Sequence, residues 1–543
     1  MKARLEKHNV HSLKDGSALQ SATEEIYKEE FYEGKTLENC GPLSNMPVAK
    51  AKEKSIELLH AANKWDHLYE PSRKAVTRAG NPIVVAVLAD QWFLDYSSKE
   101  WKAKAHACIE SMRVFPQKFE KTLNDAIDWL EKRPCTRKRG LGTPLPMASE
   151  WMIEPLSDST LYMLFYLAIV PIRESLITRE KLDETFWDAA IYGKNLPDGD
   201  ARSALAQEIH GRILYWYPND QRHTAPAHIQ NHTSFWILHH VTMFEKEWWP
   251  GAATFNDMLN RNGQKMSKSK GNVISVQEAS QKYGADLLRT YMISSSTLER
   301  VADWKDDQVP QVKNKLEELE RVLLNAIQYI KNPQNAKIAI HILDEDAGKM
   351  KLVEGERNGK QFWLKERLVQ RMSDAYEAYA EMDFKTAAQN IFFDTLNDIK
   401  LFRKTFGEDE GFAVSLALKR WLIMISPIAP FMAEELWKEA GFKGFVSAQT
   451  LSQPEAKIVT EVEEQVQFIE RVLGDIERVR RLAKGNPKTG YIYSASEKDT
   501  QWLTESLPQL EKYSNLKMKL NDAHDPLGKK AKAQAGKPAL YFE

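Results

Sequence analysis

The chain has little cysteine. Its three, Cys40, Cys108 and Cys135, lie far apart with no Cys-x-x-Cys pair, which argues against a disulfide framework and a cysteine-rich zinc site. Charge of one sign is not in excess either. The formal net charge is −1, so contact with a polyanion has to come from local basic patches. No run approaches the ~20 apolar residues of a membrane span. The opening stretch, MKARLEKHNVHSLKDG, lacks the apolar core of a secretory signal. No membrane association is therefore expected, and the cytoplasm is the expected location. Internal repeats are absent as well. What is present is ordinary for a folded protein, with 43% hydrophobic and 28% charged residues. At roughly 100–200 residues per domain, the length implies three or four domains.

Residues 1–75 are polar, with helical spacing in PVAKAKEKSIELLHAANKW. In residues 80–96 the β-branched run Ile83, Val84, Val85, Val87 and Leu88 predicts a buried strand. Residues 99–130 return to helical spacing. Residues 133–150, rich in Gly, Pro and basic side chains, predict a loop. Short apolar segments alternate with helices over residues 151–310, the pattern of an α/β sheet domain. From residue 310 the pattern becomes all-helical. Leu316, Leu319, Leu323, Ile327 and Ile330 form one apolar face, and Phe384, Ala388, Ile391, Ile399 and Phe402 another. Pro427 and Pro430 should restart a helix inside WLIMISPIAPFMAEELW. Trp421, Phe431 and Trp437 read as helical core. The tail offers a charged helix over 462–484 and a strand at Tyr491-Ile492-Tyr493.

The chemistry is concentrated in GQKMSKSKGNVIS, residues 263–275. Two lysines three apart, hydroxyls between them and flanking glycines allow a loop to bend against a phosphate chain. Positive charge held there stabilises negative charge that grows on a departing phosphate.

Lys265-Met266-Ser267-Lys268-Ser269 resembles the second signature of the class I (Rossmann-type) aminoacyl-tRNA synthetases. Tyr283-Gly284-Ala285-Asp286 with Arg289, the step Asp303-Trp304, and SPIAPFMAEELW at 426–437 resemble motifs of the same class. Residues 139–146 (RGLGTPLP), 154–163 (EPLSDSTLYM), Gln91 to Tyr96 and the ending GKPALYFE narrow the resemblance to archaeal and eukaryotic leucyl-tRNA synthetases. It extends from about residue 15 to the end.

This resemblance implies an α/β and all-α multidomain fold. The second half of a class I Rossmann catalytic domain would be followed by a helical anticodon-binding bundle and a small α/β C-terminal domain. The implied boundaries are 1–79 for the tail of an editing insertion, 80–309 for the catalytic half, 310–455 for the bundle and 456–543 for a tRNA-contacting end. Lys265 and Lys268 would be catalytic, with Lys265, Met266, Ser267, Lys268, Ser269, Asn231 and His232 at the ATP. Ser267 and Ser269 would bond either phosphate or their own loop. Ser157, Asp158, Ser159 and Tyr162 would border the amino acid, with Ser157 or Asp158 alternatively capping a helix. Arg137, Lys138 and Arg139, and Lys529, Lys530 and Lys532, would meet tRNA, or be solvated patches. ATP with its Mg2+, leucine and leucine tRNA are the implied ligands, and no metal ligand set is expected in the chain itself.

The other class I signature, His-x-Gly-His, is not found. His8-Asn9-Val10-His11 has its spacing without the glycine, and no strand-length segment precedes it. A separate half carrying that motif and the editing pocket is therefore an expected partner. Two positions depart from the family pattern. Thr224-Ala225-Pro226-Ala227 stands where it has Ser-Gly-Lys-Asp, and Asn256-Asp257-Met258 where it has Asn-Gly-His. A non-catalytic tRNA-binding remnant is the alternative reading.

Overall fold

The computed structural model describes residues 2–77, 79–87, 90–267, 271–335, 359–450, 452–456, 460–482 and 487–543. The chain divides into two compact units, residues 1–91 and 92–543.

The first unit holds helices α1 (Lys2–Lys7), α2 (Gly16–Tyr32) and α3 (Val48–Ala61). Ion pairs join α1 to α2, Arg4 to Glu29 at 2.9 Å and Lys7 to Glu25 at 2.6 Å. Among its described apolar side chains only Ala22, Ile26 and Ala51 are buried. The strand expected over residues 83–88 does not form. Val84 is 80% exposed, with Ile83, Val85 and Val87 also at the surface, and Leu88 lies outside the described residues. A β-branched run becomes a strand only when a neighbour accepts its backbone bonds. Here one isolated bridge, Val76 to Pro82, is all that this stretch makes among the described residues.

The second unit is built on a parallel sheet. Strands β2 (Arg113–Phe115), β8 (Ala252–Phe255) and β7 (Arg222–Thr224) lie in the order β2-β8-β7. Helices α4 (Lys99–Ser111), α5 (Lys118–Trp129) and α10 (Ser234–Met243) bring Ile109, Leu123, Ile127, Trp236 and Leu238 against Ala253 and Phe255. The helical spacing over 99–130 is thus two helices with β2 between them. Its three residues are too few to register as a period of two.

Residues 133–150, expected as loop, are about half strand, with a loop kept over 138–143. Strand β3 (Lys132–Pro134) pairs with β1 (Phe93–Asp95), and β4 (Thr136–Arg137) and β5 (Pro144–Leu145) pair with β6 (Ala148–Ile153). The Gly and Pro punctuation marks their turns, not one long loop. Helices α6 (Pro155–Asp158), α7 (Tyr162–Ser175), α8 (Glu184–Tyr192) and α9 (Ser203–Trp216) follow. The run Pro155–Ser175 is long and apolar enough to cross a membrane by length and composition, and 28% of its most apolar window is buried. The polar Ser157-Asp158-Ser159-Thr160 hides that run from a count of consecutive apolar residues.

Strands β9 (Leu259–Arg261), β10 (Gln264–Lys265) and β11 (Ala302–Trp304) form a second small sheet. Helices α11 (Val276–Tyr283) and α12 (Ala285–Ser295) then lead to α13 (Val309–Lys331). The helical region adds helices Gly359–Ala380, Thr395–Phe406, Gly411–Ile425 and Pro430–Ala440 around one core. Leu319, Leu323, Ile327 and Ile330 point into it, as do Ala388, Ile391, Ile399 and Phe402. The helix ending at Ile425 restarts at Pro430, where a missing N–H costs nothing. Trp421 and Trp437 are buried, whereas Phe431 is 69% exposed. Phe431 stands in the first turn of its helix, and the side chain leaves the bundle.

The tail packs helices Thr460–Leu482 and Glu497–Ser514 on a sheet of β12 (Thr489–Tyr493), β13 (Lys517–Leu520) and β14 (Ala539–Phe542). Residues 483 and 484 of the expected charged helix lie outside the described residues.

Candidate active site

The phosphate loop begins on a hairpin. Asn262 and Gly263 turn it with φ of 50° and 75°, the paired left-handed geometry that favours Asn-Gly. The Gly263 N–H donates to Asp303 Oδ1 at 2.8 Å, so the acidic-aromatic step anchors the turn. Trp304 beside it is buried, and its indole donates to Asp306 at 3.0 Å. Asp306 in turn holds Arg261 at 3.0 Å.

Beyond the hairpin, Asn272 ties the loop's two sides together. Its Oδ1 accepts the Ser267 N–H at 2.8 Å and its Nδ2 donates to the Lys265 carbonyl at 3.2 Å. The Lys265 side chain is exposed and Met266 is half-buried. Lys268 and Ser269 lie outside the described residues.

A second constellation joins the segments read as bordering the amino acid and the nucleotide. Ser159 Oγ donates to the Pro155 carbonyl at 2.6 Å, so its lone pair receives the His232 Nε2–H at 2.8 Å. His232 Nδ1 is then an acceptor, and Arg222 Nη2 donates to it. The bonds fix a neutral imidazole. Burial, with the Arg222 charge next in effect, brings the His232 pKa down to about 4.

Arg222 lies over the Trp236 ring at 5.2 Å, and among the described residues no carboxylate is paired with it. Its Nη1 is buried without a hydrogen-bond partner, and burial lowers its pKa. A guanidinium held this way suits an anionic group brought by a ligand. Sequence reasoning missed Arg222. The one available signal was an arginine in the short run leading into Asn231-His232.

Further residues brace this constellation. His239 Nδ1 meets Thr160 Oγ1 at 2.7 Å and its Nε2 meets the Tyr96 hydroxyl at 3.1 Å. Burial lowers its pKa to about 4. Glu154 caps α6, its carboxylate accepting the Leu156 and Ser157 amides at 2.8 and 3.2 Å. The cap is therefore Glu154, and neither Ser157 nor Asp158 serves. A carboxylate two residues upstream reaches the free amides better than either side chain inside the turn. Asp158 instead accepts from Thr143 at 2.9 Å. Tyr162 is partly exposed at the head of α7.

Asn231 is spent locally, accepting the His232 amide at 2.5 Å and donating to the Ala227 carbonyl at 3.4 Å. The departing segment 224–227 closes β7 and enters a short 3-10 turn, Pro226–His228. Asn256 Oδ1 accepts the His223 Nε2–H at 2.8 Å.

The basic patches divide. Arg137 donates to the Leu141 carbonyl and shapes its own loop. The Lys138 ammonium lies 4.4 Å from the Trp151 ring centre, and Arg139 is exposed. Asp525 accepts the Lys529 and Lys530 amides at 2.6 and 2.8 Å, leaving the Lys530 and Lys532 side chains at the surface. Among the described residues no three His, Cys, Asp or Glu side chains stand together as a metal cage.

Comparison with known proteins follows the same division. The family described as "tRNA synthetases class I (M)" matches residues 217–330, and "Anticodon-binding domain of tRNA ligase" matches residues 361–492. The leucine–tRNA ligase of Staphylothermus marinus is 35% identical over 95% of this chain and 51% of its own length. That of Methanosarcina barkeri is 33% identical over 90% of this chain and 49% of its own. A solved methionyl-tRNA synthetase of Mycobacterium tuberculosis superposes with a TM-score of 0.48 at 15% identity, over 70% of this chain and 69% of that one. The chain spans about half the length of the curated relatives it matches. Over nearly all of itself the chain is similar to the archaeal leucine–tRNA ligases, and its match to the class I synthetase family precedes its match to the anticodon-binding family.

Proposed function

We propose that the chain is the C-terminal part of a cytoplasmic leucine–tRNA ligase that works with a separate polypeptide bearing His-x-Gly-His and the editing pocket. The observation that supports a ligase reading is the motif Lys265 to Ser269, whose Lys265 and Ser267 backbones are tied by Asn272 and whose preceding turn is anchored by Asp303. In the first step the leucine carboxylate attacks the α-phosphorus of ATP, and pyrophosphate leaves. Lys265 and Lys268 neutralise the charge that develops on the departing pyrophosphate. In the second step a terminal hydroxyl of tRNA attacks the leucyl carbonyl and AMP leaves. Magnesium supplies charge neutralisation as part of the nucleotide. Arg222, through its free Nη1, offers a countercharge to the anionic amino acid or adenylate. The bundle and the tail, with Lys529, Lys530 and Lys532, contact tRNA.

The test is leucine-dependent ATP–pyrophosphate exchange. The chain alone is expected to show none. Mixed with the N-terminal half, it is expected to exchange, and Lys268→Ala to lose on the order of a hundredfold or more. Robust exchange by the chain alone would sink the two-chain reading. The altered 224–227 and 257–258 positions favour a second reading, a tRNA-binding remnant. Retained tRNA binding with no exchange from any mixture would select it.

A further inference from the structure

Side chains from three separate segments are joined end to end. Arg222 of β7 donates from Nη2 to His232 Nδ1, the His232 Nε2–H reaches Ser159 Oγ at 2.8 Å, and the Ser159 hydroxyl donates to the Pro155 carbonyl at 2.6 Å. Two members of this relay can serve either way round. An imidazole carries its proton on either nitrogen, and a hydroxyl gives or accepts. Arg222 has no such choice, because a guanidinium has only donors and stays charged. Its end of the relay therefore dictates the direction of every bond after it.

Arg222 is itself held by packing. Its guanidinium lies 5.2 Å over the ring of Trp236, which is fully buried. A plane laid on an aromatic face with one arm left to donate is a placement that lysine does not reproduce. The charged and titratable groups that act on His232 are Arg222, His228 of the neighbouring turn and His239 of α10. The Asp158 carboxylate of α6 is engaged by Thr143. Among the described residues no carboxylate reaches His232 to favour an imidazolium, and a proton on its Nδ1 would point at an N–H of Arg222.

The direction matters to whatever lies against half-buried Ser159. His232 gives its proton to Ser159, and Ser159 gives its own to Pro155. This wall therefore offers a ligand no N–H or O–H. A side chain that must receive a hydrogen bond is left unpaired there, at a cost an apolar side chain does not meet.

We propose that Arg222 is a positioning residue of the amino-acid site, which sets the direction of the His232–Ser159 relay and so selects an apolar side chain over one of the same outline that needs a hydrogen-bond donor. This inference rests on the reading above in which Ser159 borders the amino acid. Asparagine, whose carboxamide has the branched outline of the leucine side chain, is the discriminating analogue.

The tautomer is read first, in the full chain alone, by long-range proton–nitrogen correlation of ring-labelled histidine, with His232→Gln to assign the signal. Wild-type His232 is expected in the Nε2–H form. In Arg222→Met, which keeps an unbranched apolar stem against Trp236, the Nδ1–H form should appear and protonation should begin on the order of one pH unit higher. Arg222→Lys keeps a charged donor and should restore the Nε2–H form in part. Ser159→Ala should retain that form, since Ser159 follows the relay and does not lead it. Selection is read second, in ATP–pyrophosphate exchange by the mixture with the N-terminal half. There Arg222→Met should raise the leucine KM on the order of tenfold with kcat less affected, and narrow the preference for leucine over asparagine.

A wild-type His232 with its proton on Nδ1 would overturn the proposal. So would an Arg222→Met protein with unchanged tautomer and titration, a Ser159→Ala protein that loses the Nε2–H form, or an unchanged leucine KM. Should Arg222→Met fail to fold, the wild-type tautomer and the Ser159→Ala result still decide the relay. A locked tautomer with no exchange from any mixture would overturn the amino-acid site and leave Arg222 structural only. Exchange with an unlocked tautomer would keep the ligase reading and overturn the relay.

Discussion

Three histidines show how much single side chains depend on packing. His232, His239 and His240 are all held to a pKa of about 4, with burial the largest cause in each. His240 is fully buried; its Nδ1–H donates to the Trp236 carbonyl at 2.8 Å and its Nε2 faces the Tyr217 hydroxyl at 3.4 Å. An unfolded histidine titrates near 6.5, so between about 4 and 6.5 the unfolded chain binds more protons. The stability from a neutral buried histidine is therefore complete above that window and is lost as pH falls through it. Chemical denaturation from pH 7.5 to 4.5 should show His240→Gln losing less stability per pH unit than wild type, by up to about 1.4 kcal/mol. Parallel profiles would refute this. None of it was legible in the sequence, where a histidine on an apolar helix carries no mark of its neighbours. Ser159 and His232 were singled out separately, and their hydrogen bond across 73 positions is a tertiary fact.

Elements were legible where periodicity or a dense motif spoke, and illegible where a partner decided. The bundle helices follow their apolar spacing because one buried face is all they need. The run at 83–87 has strand composition but no partner strand among the described residues, and composition cannot supply one. From Tyr162 to Ile172 every position of α7 is apolar or aromatic, so no sequence pattern separates the buried face from the exposed one.

The motif around Asp286 and Arg289 was legible as a motif, and its structural use is now clear. Asp286 accepts the Phe431 and Met432 amides at 3.3 and 2.6 Å, capping helix Pro430–Ala440 from a distance. Arg289 donates to the Ile428 and Pro427 carbonyls at 2.9 and 2.7 Å. The pair thus clamps α12 across the break between two bundle helices. Asp286→Ala should cost about 1–2 kcal/mol, as the loss of a cap does, and Asp286→Asn should restore part of it. An unchanged unfolding midpoint in both variants would show that the clamp bears no load.

At the scale of the whole molecule, burial is unevenly shared. Residues 1–91 bury little, and Arg73 and Lys74 are exposed outside any helix or strand. Brief trypsin treatment should cut there first, leaving a resistant fragment of the second unit. First cleavage inside helix Glu497–Ser514 would contradict that order of stability.

The parallel sheet has a consequence in time. Strand β2 is complete at Phe115, yet its neighbour begins at Ala252, beyond six α-helices and an antiparallel sheet. At ordinary synthesis rates the ribosome needs on the order of ten seconds to deliver that neighbour. Through that interval β2 lacks its sheet neighbour, and α4 and α5 can close only on each other and on β2, without Trp236, Leu238, Ala253 and Phe255. A chaperone that shields nascent apolar segments has its longest engagement here, while the later helices can pack as soon as they emerge.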